Sequence, residues 1–216
     1  MDTNSDTNSD TNSDTDTNSD TDTDTDTDTD RNTLNPDATG ALRDLLDLLD
    51  RSEVSALITR YFADIDERRF TDAWVRSIFT DDVRLEFPIG SHTGAAGLAE
   101  ASAEGVAPFV RTLHRTSDHV VEVIEPGGDR AAFRANLVAD HIHLPEVLAA
   151  RGPDANPRFT IGTYVEGEAV RTDQGWRIGR LEMVLVWTEG RPPAGREEAA
   201  AGRPREEEAA GRTVAR

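Results

Sequence analysis

The hydrophobic pattern divides the chain into a helical first half and a strand-rich second half. Apolar residues recur at three- and four-residue steps from Val54 to Ile65, the period of a helix that packs on a core. A short amphipathic helix is predicted before it, over 37–50. Two further helices are predicted over 70–79 and 95–111.

Alternating apolar and polar residues predict the strands, and glycine-rich turns separate them. The predicted strands cover 83–87, 113–124, 130–144, 158–171 and 176–187. The motifs PGGD and TDQG close two hairpins, TDD at 80–82 is predicted to be a turn, and PIGSHTG at 88–94 a loop. Helices that precede a mostly antiparallel sheet imply an α+β fold.

Both ends of the chain differ in composition from its middle. Residues 1–36 are mainly a Thr/Asp/Asn/Ser repeat, whose first 30 residues hold 11 of the 42 acids and no basic residue. Such a segment is expected to be disordered because it can bury almost no apolar surface. Residues 191–216 are charged and Ala-rich, and are expected to form a disordered tail or frayed helix. The folded domain is therefore predicted over 37–190.

Charge and residue usage exclude several classes of function. A net charge of −19 disfavours nucleic acid and anionic membrane surfaces as partners. The absence of cysteine excludes disulfides and thiolate catalysis. No motif for a nucleotide, phosphate or other cofactor is present, so no cofactor is expected. Met1 is followed by acids rather than by a basic and then apolar run, and we expect a cytoplasmic protein.

The segment RYFADIDERRF, residues 60–70, holds the first candidate site residues. On a helical wheel, Tyr61 lies within the apolar stripe, where it could be a core aromatic or a donor to a ligand. Asp64 and Asp66 lie at opposite borders of that stripe. Periodicity alone does not choose between these two acids, since border acids are usually solvated.

Two longer segments carry a family resemblance. RYFADIDERRFTDAWVRSIFTDDVRLEF near the start and GWRIGRLEMVLVW near the end resemble the SnoaL-like branch of the NTF2-like superfamily. The resemblance covers about residues 50–190. It implies a cone, in which a curved, mostly antiparallel sheet wraps around the N-terminal helices and encloses a pocket. It also implies a homodimer or homotrimer.

The finer resemblance is to scytalone dehydratase and bile-acid 7α-dehydratase. Their catalytic Asp and His match Asp66 and His114, the tyrosine of the bile-acid enzymes matches Tyr61, and the second histidine of scytalone dehydratase matches His141. The resemblance implies that His114 acts as base and that Asp66 orients it. Tyr61 or His141 would donate to the enolate oxygen.

Within this match Asp64 is expected to be a solvated border residue. His92, in the loop GSHTG, is expected to lie at the surface. His141 has support from its own strand, because it continues an apolar face with Phe133 and Leu137.

The resemblance thus implies a cofactor-independent dehydratase or isomerase acting on a small hydrophobic hydroxy-carbonyl compound. Two alternatives stay open: a polyketide cyclase or ketosteroid-type isomerase in which an Asp is the base, and a non-catalytic module that binds a small molecule or a partner. A metal site at His141 and His143 with Asp66 is the weakest alternative, because their spacing matches no common zinc pattern.

Overall fold

The helices and strands follow the predicted order, and one further short strand pairs with the first strand at an edge of the sheet. The computed structural model describes residues 36–124 and 127–201. The helices are α1 (Pro36–Asp66), α2 (Asp72–Ile78), α3 (Leu98–Val106), α4 (Pro145–Arg151) and α5 (Glu197–Ala200). The strands are β1 (Phe79–Phe87), β2 (Gly90–Thr93), β3 (Phe109–Val123), β4 (Arg130–His143), β5 (Arg158–Thr172) and β6 (Gly175–Glu189).

The six strands form one sheet in the order β2-β1-β6-β5-β4-β3. Every neighbouring pair is antiparallel except β1 and β6, which run parallel. The sheet is curved and does not close, and its inner face packs on α1 and α2. The predicted α+β cone is confirmed.

The sheet bends where two glycines of β5 let other groups approach closely. A Cβ atom at Gly162 would lie 2.1 Å from the indole of Trp187, and one at Gly167 would lie 2.0 Å from the carbonyl oxygen of Arg180. The β5–β6 register shifts beside both positions. Such irregularities increase strand bending, and here they help to curve the sheet around the helices.

Helix α1 is longer than predicted. The two helices expected on either side of residue 51 are one helix of 31 residues, since neither glycine nor proline interrupts the chain between them. Only its second half lies against the sheet. The leucines of the first half are between 46% and 62% exposed: Leu42, Leu45, Leu46, Leu48 and Leu49.

Two predicted connections are strands instead. Residues 80–82, expected to form a turn, belong to β1, which begins at Phe79 beside Ile178 of β6 and changes register before Arg84. The loop predicted over 88–94 contains β2, which pairs antiparallel with β1. Both predictions were wrong because backbone pairing with β6 and β1 overrides the local preference of these polar residues.

A buried ion pair fixes the middle of α1 to the sheet. Asp50 is 5% exposed, pairs with Arg171 of β5 and accepts a hydrogen bond of 3.4 Å from Nε1 of Trp176. The guanidinium of Arg171 also lies 4.6 Å from the centre of the Trp176 ring. This contact sets where α1 crosses the strands and therefore where its last turn lies.

The predicted terminal segments lie largely outside the described residues. The acidic repeat falls there except for its last residue, and the tail is described only as far as residue 201. Within the described part of the chain, no helix is long and apolar enough to cross a membrane.

The Asp50–Arg171 pair predicts an asymmetric loss of stability. Arg171→Met should lower the free energy of unfolding by about 3 kcal/mol, because it leaves the buried Asp50 carboxylate unpaired. The matched control is Arg130→Met, which breaks an exposed pair with Glu168 and should cost much less, because solvent screens that pair. Urea unfolding of both variants measures the difference, and equal losses would contradict a stabilising role for the buried pair.

Candidate active site

The C-terminus of α1 is held against the start of β3. Arg68 adopts a left-handed conformation with φ of 54°. The backbone amides of Arg68 and Arg69 end the helix by donating to the carbonyl oxygens of Ile65 and Asp64. The Arg68 guanidinium donates to the carbonyl oxygens of Val106 and Phe109 at 3.3 and 2.8 Å. The last turn of α1 therefore has a fixed position beside β3.

Asp66, the last residue of α1, accepts three hydrogen bonds from β3. The donors are the hydroxyl of Thr112 at 2.7 Å, the backbone amide of His114 at 2.8 Å and the His114 ring at 2.6 Å. Burial raises the pKa of the Asp66 carboxyl, but these hydrogen bonds outweigh it and hold the pKa below its usual value. Asp66 is therefore an ionised acceptor at neutral pH.

The contact with Asp66 fixes the tautomer of His114. An ionised carboxylate can only accept, so Nδ1 of His114 carries the proton and Nε2 of the neutral ring is unprotonated. The His114 side chain is 8% exposed and stacks on Phe62 with ring centres 5.5 Å apart. Nε2 makes no hydrogen bond to any described residue, which leaves its lone pair free for a ligand.

His114 lies in the wall of a cavity of about 300 Å³ between the inner face of the sheet and the helices. This volume is at the small end of the range for small-molecule sites. Its walls are mostly apolar and include Ile65, Leu98, Phe159 and Met183. A few polar groups in an apolar cavity are the usual arrangement of a small-molecule site.

Tyr61, predicted either as a core aromatic or as a donor, lines this cavity while remaining 4% exposed. Its ring packs against Phe62, Trp74 and Phe79. Burial raises the pKa of its phenol well above the usual value. The hydroxyl therefore keeps its proton and can act as a hydrogen-bond donor.

His141 also lines the cavity, with its ring centre 5.7 Å from that of His114. Nδ1 donates to the carbonyl oxygen of Phe159 at 3.2 Å, so Nε2 of the neutral ring has no proton. Burial first, and then the neighbouring His114, lowers the pKa of His141 to about 4. At neutral pH this geometry makes His141 an acceptor, which disagrees with its expected role as a donor to an enolate oxygen.

The structure corrects two expectations about neighbouring residues. Asp64, expected to be solvated, is only 8% exposed. Its carboxylate lies 3.6 Å from the guanidinium of Arg69, whose charge offsets the cost of burying the carboxylate. His92, expected at the surface, is half-buried and lines the cavity, because β2 places it opposite the buried Leu85 of β1. The loop predicted over 88–94 gave no orientation for the His92 side chain.

The segment after β6 supplies lining residues that the sequence pattern did not indicate. Pro192, Pro193 and Arg196 all contact the cavity. Arg151 donates to the carbonyl oxygens of Arg191 and Pro192, at 3.3 and 2.7 Å. The segment has no hydrophobic periodicity, and only its two prolines distinguish it from a solvated tail.

No metal-binding cluster is present among the described residues: no three His, Asp or Glu side chains are placed to hold an ion together. His143 is turned away from such a role, since its Nε2 lies 2.8 Å from the carbonyl oxygen of Arg191 and 3.0 Å from the Arg151 guanidinium.

The sequence and the fold together identify the family. The model of the SnoaL-like domain family matches residues 46–182, and the chain belongs to this family. The family matched is the one that the two quoted segments resemble, so that prediction is confirmed. No curated protein sequence is significantly similar to the chain.

Solved structures show the same fold. The Kfla4162 protein from Kribbella flavida is similar with a TM-score of 0.58 and 28% identity, over 65% of this chain and 93% of that one. A putative scytalone dehydratase from Novosphingobium aromaticivorans gives a TM-score of 0.55 and 16% identity, over 67% and 89%. The hexachlorocyclohexane dehydrochlorinase LinA-type3 from Novosphingobium barchaimii gives 0.56 and 17%, over 69% and 95%.

The buried His141 predicts a loss of stability in mild acid. Its pKa is about 4 in the folded protein against 6.5 for an unperturbed histidine, so the unfolded chain takes up the proton first. Stability from the neutral ring is complete above pH 6.5 and falls by up to about 3 kcal/mol as the pH drops to 4.

His141→Gln should remove this part of the pH dependence. Burial also lowers the pKa values of His119 and His143. Both residues are present in the wild type and in the variant, so their contributions to the pH dependence of stability cancel in the comparison. Urea unfolding at a series of pH values measures the difference between wild type and variant. Parallel stability curves for the two proteins would contradict the burial of a neutral His141.

Proposed function

We propose that this protein is a cofactor-independent lyase that removes water from a small hydrophobic β-hydroxy carbonyl compound. The observation that carries the proposal is the Asp66–His114 pair, which presents an unprotonated Nε2 in the wall of an apolar cavity. A base next to bound substrate is the main requirement for taking a proton from carbon beside a carbonyl group.

In the proposed reaction, Nε2 of His114 takes the proton from the carbon next to the carbonyl group. The resulting imidazolium is stabilised by the carboxylate of Asp66, with which it shares the Nδ1 proton. The C–O bond at the neighbouring carbon then breaks, and the departing oxygen takes the proton from Nε2 and leaves as water. His114 returns to its neutral form, so the cycle is balanced.

Tyr61 and His141 take complementary roles in this reaction. The protonated phenol of Tyr61 donates to the carbonyl oxygen and stabilises the negative charge that develops on the enolate. Nε2 of His141 accepts a hydrogen bond from the substrate hydroxyl and positions the leaving group. Positioned acid-base catalysis of this kind contributes about 100- to 10,000-fold per group.

The names of two structural neighbours support an elimination. One is called a putative scytalone dehydratase and the other a dehydrochlorinase, and both names describe loss of a small molecule from adjacent carbons. Either reaction needs a base for the departing proton. The shared fold therefore suits proton abstraction. Water as the leaving group in this protein is inferred from its own polar side chains.

An alternative mechanism would use Asp66 itself as the base, as in the cyclase or isomerase hypothesis. The lone pairs of Asp66 already accept three hydrogen bonds, which lower its pKa and make it a weaker base. The geometry therefore favours His114 as the base and Asp66 as the residue that orients it.

The proposal predicts large losses of turnover from Asp66→Asn and His114→Gln. Turnover of 3-hydroxycyclohexanone can be followed by formation of the conjugated enone, and exchange of the α-protons of cyclohexanone in D₂O by NMR. Each variant should lose about 100- to 10,000-fold in both assays, because the base is removed or its tautomer is no longer fixed.

The matched control is Asp64→Asn, which changes an acid on the same helix that lies outside the cavity and should leave rates within about threefold. Circular dichroism would verify that each variant is folded. Full activity in folded Asp66→Asn and His114→Gln would contradict the proposal. Absence of both reactions in the wild type would favour a non-catalytic binding protein.

A further inference from the structure

Arg196 places a permanently charged side chain in the wall of the cavity. Among the described residues that line it, no other side chain is permanently charged, and none carries a carboxylate. The remaining polar groups there are histidines, serines and Tyr61. A lone guanidinium in such a site is unexpected for a ligand that is neutral throughout, since partial burial of an unpaired charge costs free energy.

The contacts of Arg196 leave much of its hydrogen-bonding capacity unused. Its two terminal nitrogens donate to the carbonyl oxygens of Gly105 and Glu104 at the end of α3, at 2.8 and 3.3 Å. No carboxylate of the described residues lies within ion-pair distance. Three of the five N–H donors of the guanidinium thus have no acceptor in the described part of the chain.

The position of Arg196 is set by the segment that precedes it. Arg151 donates to the carbonyl oxygens of Arg191 and Pro192, and the buried His143 contacts that of Arg191. Pro193 is buried. The contacts with α3 fix the other end of this short segment. A charge held at both ends of its segment is pre-organised for a ligand, which reduces the entropy lost on binding.

We propose that Arg196 binds a carboxylate of the ligand, so that this cavity takes small apolar carboxylic acids. The inference deepens the proposed function: the substrate would carry a carboxylate besides its β-hydroxy carbonyl group. A partly dehydrated guanidinium and a carboxylate form strong charge-assisted hydrogen bonds in a planar arrangement. Burial lowers the pKa of Arg196, but a guanidinium keeps its charge at neutral pH.

The alternative is that Arg196 only caps the C-terminus of α3, where a cation interacts favourably with the helix dipole. The two roles differ in what they do to ligands of equal shape. If Arg196 only caps α3, its replacement shifts the segment and changes the affinity for acids and neutral ligands alike. If Arg196 binds a carboxylate, its replacement changes the affinity for acids alone.

The test compares 1-naphthoic acid with 1-naphthamide, which share a shape and differ in charge. Isothermal titration of the full chain should give tighter binding of the acid by about 10- to 100-fold, the range expected for hydrogen bonds between charged groups. Arg196→Met should abolish this preference, because it lowers the affinity for the acid and leaves the affinity for the amide within about twofold. Arg196→Lys, which keeps the charge but loses the planar fork, should retain part of the preference.

The control Arg191→Met removes the same charge from an exposed side chain of the same segment and should leave the preference intact. Neither probe carries a β-hydroxy carbonyl group, so the titration does not depend on turnover and failure of the two proposals can be told apart. Equal affinities of the wild type for acid and amide would overturn the inference. So would a preference that survives Arg196→Met, or an equal loss for both ligands, which is the result expected of a helix cap.

Discussion

Three hydrogen bonds to one carboxylate join the principal helix of this protein to the edge of its sheet. Asp66 ends α1, and Thr112 and His114 lie on β3, the last strand of the sheet. An edge strand has amide groups on its outer side that no further strand can satisfy. One of these, from His114, donates to Asp66, so the contact that completes the fold also orients the proposed base.

The remaining structure supports that contact. The ion pair of Asp50 with Arg171 fixes where α1 crosses the sheet, and Arg68 ties the end of the helix to the residues just before and at the start of β3. The curvature that Gly162 and Gly167 permit bends the sheet around the helices, leaving an apolar cavity in front of His114. Stability and the proposed chemistry therefore depend on the same helix position.

The sequence predicts those features whose cause is local. The helical period placed Tyr61 on the inner face of α1, and the alternation in β4 placed His141 beside the core, as the structure has them. Periodicity could not separate Asp64 from Asp66, because the difference arises from partners at positions 69 and 112–114. The resemblance to known dehydratases supplied that information.

Other site features arise from long-range pairing and could not be predicted. His92 points inward because β2 pairs with β1, and a loop assignment gives no orientation at all. The acceptor role of His141 depends on the carbonyl oxygen of Phe159, a neighbour across the sheet. Arg196 belongs to a segment without periodicity, and only contacts with α3, Arg151 and His143 bring it to the cavity.

On the proposed mechanism, Asp66 holds His114 with the proton on Nδ1 and a free lone pair on Nε2. The ¹⁵N NMR spectrum of the ring, recorded at about pH 8 where histidines are usually neutral, measures this directly. We expect a protonated Nδ1 and an unprotonated Nε2 for His114, and a mixture of tautomers in Asp66→Ala. A His114 ring protonated on Nε2 in the wild type would contradict it.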